Sequence, residues 1–214
     1  MSKDLTEKIK DGREYRRMSL KVQDADSYRV RGYATTFNEP YEIYNDGDII
    51  VDEKVDPDAF RNADMSDVIM QYDHEGRVFA RTGNDTLHLT PDSHGLQVEA
   101  YLGGTEIGKQ LFEEIKGGYT SKMSFGFRVG ADEIKEENRD DKVYYHRTLK
   151  EFKKIYDVSA VSIPANDGTE ISARSLSDGV IAKAEAERLV EAEKRKSIEN
   201  LKNQIDTLLK GEKK

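Results

Sequence analysis

The sequence predicts a mainly β fold with helices, ending in a long C-terminal helix. Between residues 14 and 163, apolar side chains repeatedly occupy every second position, which is the pattern of half-buried strands. One segment, Thr105 to Lys116, instead carries its apolar residues three and four positions apart, as an amphipathic helix does. Beyond Ser177 the strand pattern gives way to charged residues with apolar positions at a similar three-four spacing. This last pattern is typical of a coiled-coil-like helix.

The first predicted elements lie in the N-terminal third. Glu14 to Ala34 predicts two strands joined by a turn at Asp24 to Ser27. A loop rich in Asn, Asp and Gly follows from Asn38 to Asp48, and Ile49 to Val51 begins another strand. Asp56-Pro57 predicts the start of a short helix, because aspartate caps helix N-termini and proline suits the first turn.

The remaining elements follow from the same patterns. Val68, Met70, Tyr72 and His74 alternate with polar residues, so we expect His74 to end a strand. In the helix that follows Thr105, this threonine is the expected N-cap and a pair of glycines ends the helix. The acidic stretch from Asp132 to Asp141 predicts a solvated loop. Further strands are expected at Thr86–Thr90, Leu96–Leu102, Met123–Val129, Val143–Thr148 and Lys154–Ile163.

These patterns divide the 214 residues into three parts. Residues 1–12 are polar and charged and predict a disordered N-terminus, residues 13–177 form the main domain, and residues 178–214 form a helical tail. The tail carries nine basic and eight acidic side chains, for a net charge of +1. Since the whole chain carries −8, residues 1–177 carry −9. An acidic domain and a balanced tail suggest two units with different roles.

Composition excludes several classes of protein and of site. The chain has no cysteine, so it has neither a disulfide framework nor a thiolate metal site. No apolar run approaches the roughly 20 residues that span a bilayer, and the charged N-terminus lacks the apolar centre of a signal peptide. The net charge of −8 argues against a general nucleic-acid binder, which would show a basic surface. We therefore expect no membrane and no nucleic-acid partner.

The most informative strand contains Ser124. Met123, Phe125 and Phe127 fall on one face of this strand, so Ser124 and Gly126 point to the other. The glycine leaves space beside the serine hydroxyl, which suits a nucleophile. A serine hydroxyl is protonated at neutral pH and needs a base within hydrogen-bond reach and a third group that orients the base.

His74 is the candidate base. It lies beside a glycine turn at a strand end, which fits either an exposed surface histidine or a base that reaches a neighbouring strand. The other three histidines are expected to be structural or exposed. None of the four has the spacing of metal ligands, so we expect no metal and no cofactor.

Asp157 is the candidate third group. Aspartate is a poor strand former, yet Asp157 interrupts an otherwise well-patterned strand. It is either an edge carboxylate facing water or an acid that receives a ring N–H from histidine and fixes its tautomer. Arg128 shares the face of Ser124 and is either a solvated strand residue or a substrate-binding group.

Four ordered motifs resemble the prohead maturation proteases of HK97-like tailed bacteriophages, a family related in fold to the herpesvirus assemblin proteases. The resemblance covers most of residues 14–175, and the order and spacing of the motifs together are specific. The motifs are Tyr72-Asp73-His74-Glu75, Ser93 to Ala100 leading into the helix from Thr105, Lys122 to Phe127, and Asp157 to Asn166.

The resemblance implies a site and a fold. It implies Ser124 as nucleophile, His74 as general base and Asp157 as third member, at a position where the family more often has glutamate. Backbone N–H groups in the loop containing Ala165 and Asn166 are candidates for the oxyanion site. The implied fold is an antiparallel β-barrel of the herpesvirus-protease type, formed by residues 13–177, with a long C-terminal helix.

The resemblance also implies a function, a serine endopeptidase of phage capsid maturation. Such proteases act in the host cytoplasm inside the immature capsid, where they cleave scaffold, an extension of the major capsid protein, and often themselves. The helical tail would then dock on scaffold helices, or else form a self-associating coiled coil. The alternative function is a non-catalytic assembly module that keeps the protease fold. A third reading, an unrelated β-rich binding domain, does not explain the ordered motifs.

Overall fold

The computed structural model describes residues 14–24, 27–161 and 170–211, so the predicted disorder of residues 1–12 lies outside it. These described ranges contain ten strands and two α-helices, together with a 3-10 helix at Thr82–Asn84. The strands are β1 (Glu14–Asp24), β2 (Arg29–Thr36), β3 (Tyr41–Asn45), β4 (Ile49–Val55), β5 (Ile69–Tyr72), β6 (Glu75–Arg81), β7 (Leu87–Pro91), β8 (Gly95–Tyr101), β9 (Lys122–Arg139) and β10 (Lys142–Val161). The helices are α1 (Glu106–Lys116) and α2 (Glu170–Gly211).

All ten strands belong to one mixed sheet. The main path runs β3-β4-β10-β9-β1-β2-β8-β7, and β5 attaches to β10 and carries β6. Most pairs are antiparallel, but β10 pairs in parallel with β4 over its first half and with β5 over its second half. The mainly β prediction is therefore confirmed. The described pairings leave β3 and β7 as separate ends, so the sheet does not close and the barrel stays a prediction.

A long hairpin of β9 and β10 replaces the solvated loop expected at 132–141. That prediction was wrong because acidic residues were taken to exclude a strand, whereas here they alternate between the two faces of β9 and meet cations on neighbouring elements. The turn consists of Asp140 and Asp141 alone, with φ values of 55° and 60°. Positive φ at both central residues matches the type I′ turn that suits the twist of a two-residue hairpin.

Three smaller predictions also differ from the structure. The loop expected at 38–48 contains β3, which pairs with β4, and β6 was not predicted. The helix expected to start at Asp56 is instead a series of turns at residues 57–62. Asp56 nevertheless accepts a hydrogen bond from the Asp58 N–H at 2.9 Å, which is the capping contact that the sequence suggested.

The core lies on one face of the β9–β10 hairpin. Phe125 and Phe127 of β9 are fully buried and stack with ring centroids 4.7 Å apart, and Phe152 of β10 meets Phe127 edge-on at 4.8 Å. Helix α1 is present as predicted, since Thr105 accepts a hydrogen bond from the Gly108 N–H at 3.1 Å and the helix ends before Gly117. This packing fixes which face of β9 is left for Ser124.

Helix α2 is longer than the sequence predicted. The expected helix begins near Gly179, but α2 starts at Glu170. Residues 180–184 of α2 pack on the distal half of the hairpin, where Val180 meets Val51 and Tyr145 in a small second core. Lys183 adds an ion pair to Asp132 of β9.

A buried network of charges links α2 to the sheet. Glu53 of β4 is fully buried and accepts hydrogen bonds from Arg16 of β1 at 2.6 and 2.7 Å and from Arg147 of β10 at 2.9 Å. Arg147 also donates to Glu14 and to Asp132, both at 2.7 Å. Burial opposes the ionisation of Glu14 and of Asp132, but their cationic partners outweigh it and lower both pKa values.

The members of this network balance in charge. Three anions, Glu14, Glu53 and Asp132, face three cations, Arg16, Arg147 and Lys183. Because each buried charge has a partner of opposite sign, the network avoids the cost of an isolated buried ion.

Glu53→Gln should lower the free energy of unfolding by about 3–5 kcal/mol, because it leaves two buried guanidinium groups short of one negative charge. Urea denaturation at neutral pH measures the change. The matched control is Glu133→Gln, which removes an exposed partner of Lys135 and should cost less than about 1 kcal/mol. Equal effects of the two variants would contradict a structural role for the network.

Candidate active site

Ser124 lies in β9, in register with Ser159 of β10, on the face opposite the phenylalanine core. On the other side of β10, Ser159 is in register with Gln71 of β5, so Ser124, Ser159 and Gln71 lie in one row across three neighbouring strands. Strands in a sheet are about 4.8 Å apart, so the end of β5 lies about 10 Å across the sheet from Ser124. The topology thus brings the β5–β6 turn close enough for a side chain to reach over β10.

His74 occupies this turn. Asp73 and His74 are the two central residues of the β5–β6 hairpin, with φ values of 47° and 61°. Positive φ is uncommon for residues other than glycine, and such backbone conformations concentrate at functional sites. The Asp73 N–H donates to the Ala160 carbonyl at 2.9 Å, which fixes the turn against β10. The alternation predicted His74 as the end of this strand, but β5 ends two residues earlier at Tyr72, so His74 lies in the turn.

A β-bulge in β10 turns Asp157 toward His74. Ile155 pairs with Phe127 and Asp157 with the adjacent Gly126, so Tyr156 is one extra residue on β10. Without the bulge, Asp157 would share the core face of Ile155, because residues two apart in a strand point the same way. The extra residue shifts the alternation of the two faces along β10 by one position, so Asp157 faces away from the core and Val158 lies in it. Bulges recur next to active sites for this reason.

Asp157 Oδ1 makes a short hydrogen bond to His74 Nδ1. Both side chains are only 6% exposed. A carboxylate at Nδ1 favours the tautomer with its proton there, which leaves the Nε2 lone pair available to accept one. Asp157 therefore reaches the His74 ring, although its side chain is one methylene shorter than the glutamate that is more usual in the family that the sequence resembles.

Ser159 is a site residue that the sequence reasoning missed. It is fully buried, and its hydroxyl donates to Asp157 Oδ1 at 3.0 Å. The same carboxylate oxygen thus accepts from both Ser159 and His74, which limits rotation of the short aspartate side chain. The available signal was its position two residues after Asp157, on the same face of the strand.

The Ser124 hydroxyl is buried and makes no hydrogen bond to any residue in the described part of the chain. The Nε2 atom of His74 is buried as well. A buried hydroxyl that lacks a partner costs stability, and such groups call for a functional explanation. The register therefore places Ser124 of β9 and Asp157 of β10 on one face of the sheet, and His74 of the β5–β6 turn contacts Asp157 there; acyl transfer uses these three residue types.

The other predicted site residues lie outside this group. Arg128 is exposed and lies four residues along β9, or about 13 Å, from Ser124, so a substrate contact stays a prediction. Ala165 and Asn166 lie outside the described residues. Over the described ranges, no cluster of side chains could hold a metal ion, and no helix is long and apolar enough to cross a bilayer.

The remaining histidines pair elsewhere or lie at the surface. His146 contacts Asp52 at 2.7 Å on the distal half of the sheet, and His88 lies 3.8 Å from Asp85. His94 packs edge-on against Tyr33 with ring centroids 4.6 Å apart. None of these contacts involves Ser124 or Asp157.

Two serine-to-alanine variants should differ in their effect on the free energy of unfolding. Ser124→Ala should leave the free energy of unfolding unchanged or raise it by up to about 1 kcal/mol, because it removes a buried hydroxyl with no partner among the described residues. Ser159→Ala should lower it by about 1–2 kcal/mol, because it removes a hydrogen bond to a buried carboxylate. Urea denaturation of both variants measures this. A larger loss for Ser124→Ala than for Ser159→Ala would contradict the geometry.

Comparison with known proteins identifies the family. A family model described as caudovirus prohead serine protease matches residues 14–180, which includes every strand, α1, and the Ser124, His74 and Asp157 positions. No curated protein and no solved structure matches the chain. The match confirms the resemblance seen in the four sequence motifs. Because it covers most of the chain, this protein belongs to the caudovirus prohead serine protease family.

Proposed function

We propose that this chain is a serine endopeptidase that cleaves scaffold or an extension of the major capsid protein, and also itself, inside the immature capsid in the host cytoplasm. The observation that carries the proposal is the hydrogen bond between His74 and Asp157 on the face of the sheet that holds Ser124. Family membership supports a serine peptidase of the prohead and leaves the substrates to be identified.

In the proposed reaction, His74 Nε2 takes the proton of the Ser124 hydroxyl as Oγ attacks a peptide carbonyl carbon. The tetrahedral intermediate collapses as the imidazolium gives this proton to the leaving amine. Water then attacks the acyl-enzyme, with His74 again acting as base and then acid, and releases the new carboxylate and the Ser124 hydroxyl. Asp157 stabilises the positive charge on the ring in both halves of the reaction.

The roles of the flanking residues follow from their contacts. Gly126 lies opposite Asp157, so no side chain projects from β9 next to the carboxylate. Ser159 holds the carboxylate through the 3.0 Å hydrogen bond. We propose backbone N–H groups near Ala165 and Asn166 as oxyanion donors, where each well-placed donor contributes about 3–4 kcal/mol to the transition state.

Burial of the nucleophile means that the site must open locally before a substrate binds, and it also supports the second candidate function. Ser124 has no exposed surface, so a peptide must displace whatever covers the hydroxyl before attack. An enzyme confined with its substrates benefits from such control. A non-catalytic assembly module that keeps the protease fold would show the same burial, and activity separates the two.

Intact mass over time tests the proposal. Wild-type protein, expressed alone and with the major capsid protein of its phage, should lose a fragment or shorten its partner, whereas Ser124→Ala should not.

Asp157→Asn should slow cleavage about 10³–10⁴-fold, because the ring then lacks the carboxylate that fixes its tautomer.

The matched control is Ser121→Ala, an exposed serine just before β9, which should cleave at the wild-type rate. Cleavage that persists in Ser124→Ala would show that another residue or a host protease performs it. Identical, unchanged masses for the wild type and Ser124→Ala in the presence of assembled capsid protein would support the assembly module.

A further inference from the structure

Helix α2 continues well beyond the part that packs on the sheet. Its last described contact with the strands is an ion pair of Arg188 with Glu136 at 3.7 Å. From Leu189 to Ile205 every residue is exposed. This segment includes large apolar side chains that are more than half exposed: Leu189 (65%), Val190 (51%), Ile198 (53%), Leu201 (57%) and Ile205 (54%).

Four of these side chains form a stripe. At 100° per residue, Val190, Ile198, Leu201 and Ile205 fall within an arc of about 80° on one side of the helix. An apolar stripe of this width is typical of a helix that packs against another helix. Helices of this length are marginally stable in water when they pack against nothing, so a partner would stabilise the projecting segment.

The charges along the same segment are divided into two blocks. Residues 185–193 contain four glutamates and one arginine, for a net charge of −3. Residues 194–202 contain four cations and one glutamate, for a net charge of +3. The change of sign falls between Glu193 and Lys194, five residues into the exposed segment, and the acidic block begins four residues before that segment, where α2 still lies along the sheet. The described ion pairs within this segment include Arg195 with Glu191, an exposed intrahelical pair.

We propose that α2 pairs through residues 185–202 with the same helix of a second copy of this chain in antiparallel orientation, with the change of sign at the centre. Antiparallel pairing places the −3 block of each helix beside the +3 block of the other. Parallel pairing would place like charges side by side, which is destabilising.

We infer that the partner helix belongs to a second copy of this chain because the charge pattern of α2 is complementary to its own reversal. Two blocks of equal and opposite charge, related by reversal of the helix direction, are what an antiparallel homodimer requires. A different helical partner would need the same reversed pattern and a matching apolar stripe. Scaffold docking by the tail, which the resemblance suggests, becomes an alternative outcome of the test.

Sedimentation equilibrium of the full-length chain, carrying Ser124→Ala to prevent self-cleavage, measures the pairing. The parent should form a dimer that weakens with added salt, because screening acts on exposed charges. Reversing the basic block (Lys194→Glu, Arg195→Glu, Lys196→Glu) should weaken dimerisation by at least about tenfold, as should reversing the acidic block (Glu187→Lys, Glu191→Lys, Glu193→Lys).

Mixing the two reversed proteins is the decisive control, because the mixture pairs a segment of net charge −6 with one of net charge +6 and should restore a dimer. The charge-conserving variant Lys194→Arg, Arg195→Lys, Lys196→Arg should dimerise like the parent. Circular dichroism verifies that each variant keeps its helix. A parent that is monomeric at about 100 μM, or dimers that neither reversal weakens, would overturn the proposal.

The absence of cysteine makes the orientation measurable with one introduced thiol. Spin labels on Gln204→Cys should lie roughly 30 Å apart in the antiparallel dimer, since each label is about ten residues from the centre at 1.5 Å per residue. Labels on Ser197→Cys should lie roughly 10 Å apart along the axis. Short and equal distances at both positions would show parallel pairing and overturn the proposed orientation.

Discussion

The candidate site depends on the register of β10. This strand pairs with β9 on one side and with β4 and then β5 on the other, so it fixes the positions of Ser124 and of the turn that carries His74. The extra residue at Tyr156 decides which face Asp157 occupies. If the strand were regular, the carboxylate would enter the phenylalanine core, where an unpaired charge is costly, and His74 would have no partner. One inserted residue therefore decides whether Asp157 faces the core or His74.

The opposite end of the same strand carries the charge network. Arg147 lies on β10 as well, and it connects Glu14 of β1, Glu53 of β4 and Asp132 of β9. Through Asp132 the network also reaches Lys183 of α2. Buried ion networks contribute little net stability compared with apolar packing, but they tolerate few alternative arrangements. We infer that the network specifies how the long hairpin and the helix fit together, while the aromatic core supplies most of the burial.

The sequence predicted the regular elements better than the irregular features. Alternation located the Ser124 strand, and the capping pattern located the helix after Thr105, because these local rules agree with the tertiary packing. It failed for residues 132–139, where cations from distant elements pair with the acidic side chains of a strand. No local rule contains that information, since Arg147 and Lys183 are far along the chain.

In the candidate site, too, the residue types could be selected from the sequence but the irregular backbone that positions them could not. Ser124, His74 and Asp157 are candidates because acyl transfer uses these residue types, but the contact between His74 and Asp157 depends on the bulge and on positive φ at Asp73 and His74. A bulge has no reliable signature in a single sequence. Ser159 could have been found from its spacing to Asp157, although only the structure shows the hydrogen bond. The helix start at Glu170 was missed because the segment before Gly179 lacks a clear apolar spacing.

The central claim is that His74, held by Asp157, activates Ser124, and covalent labelling tests it most directly. Purified protein would be treated with an alkyl phosphonofluoridate, which phosphonylates activated serines with loss of fluoride, and the adduct located by peptide mass. The account predicts one adduct per chain, on Ser124, formed at least about a hundredfold more slowly in folded His74→Ala and Asp157→Asn proteins. An adduct on another serine, no adduct on the folded wild type, or equal labelling of Ser124 in the His74→Ala protein would contradict it.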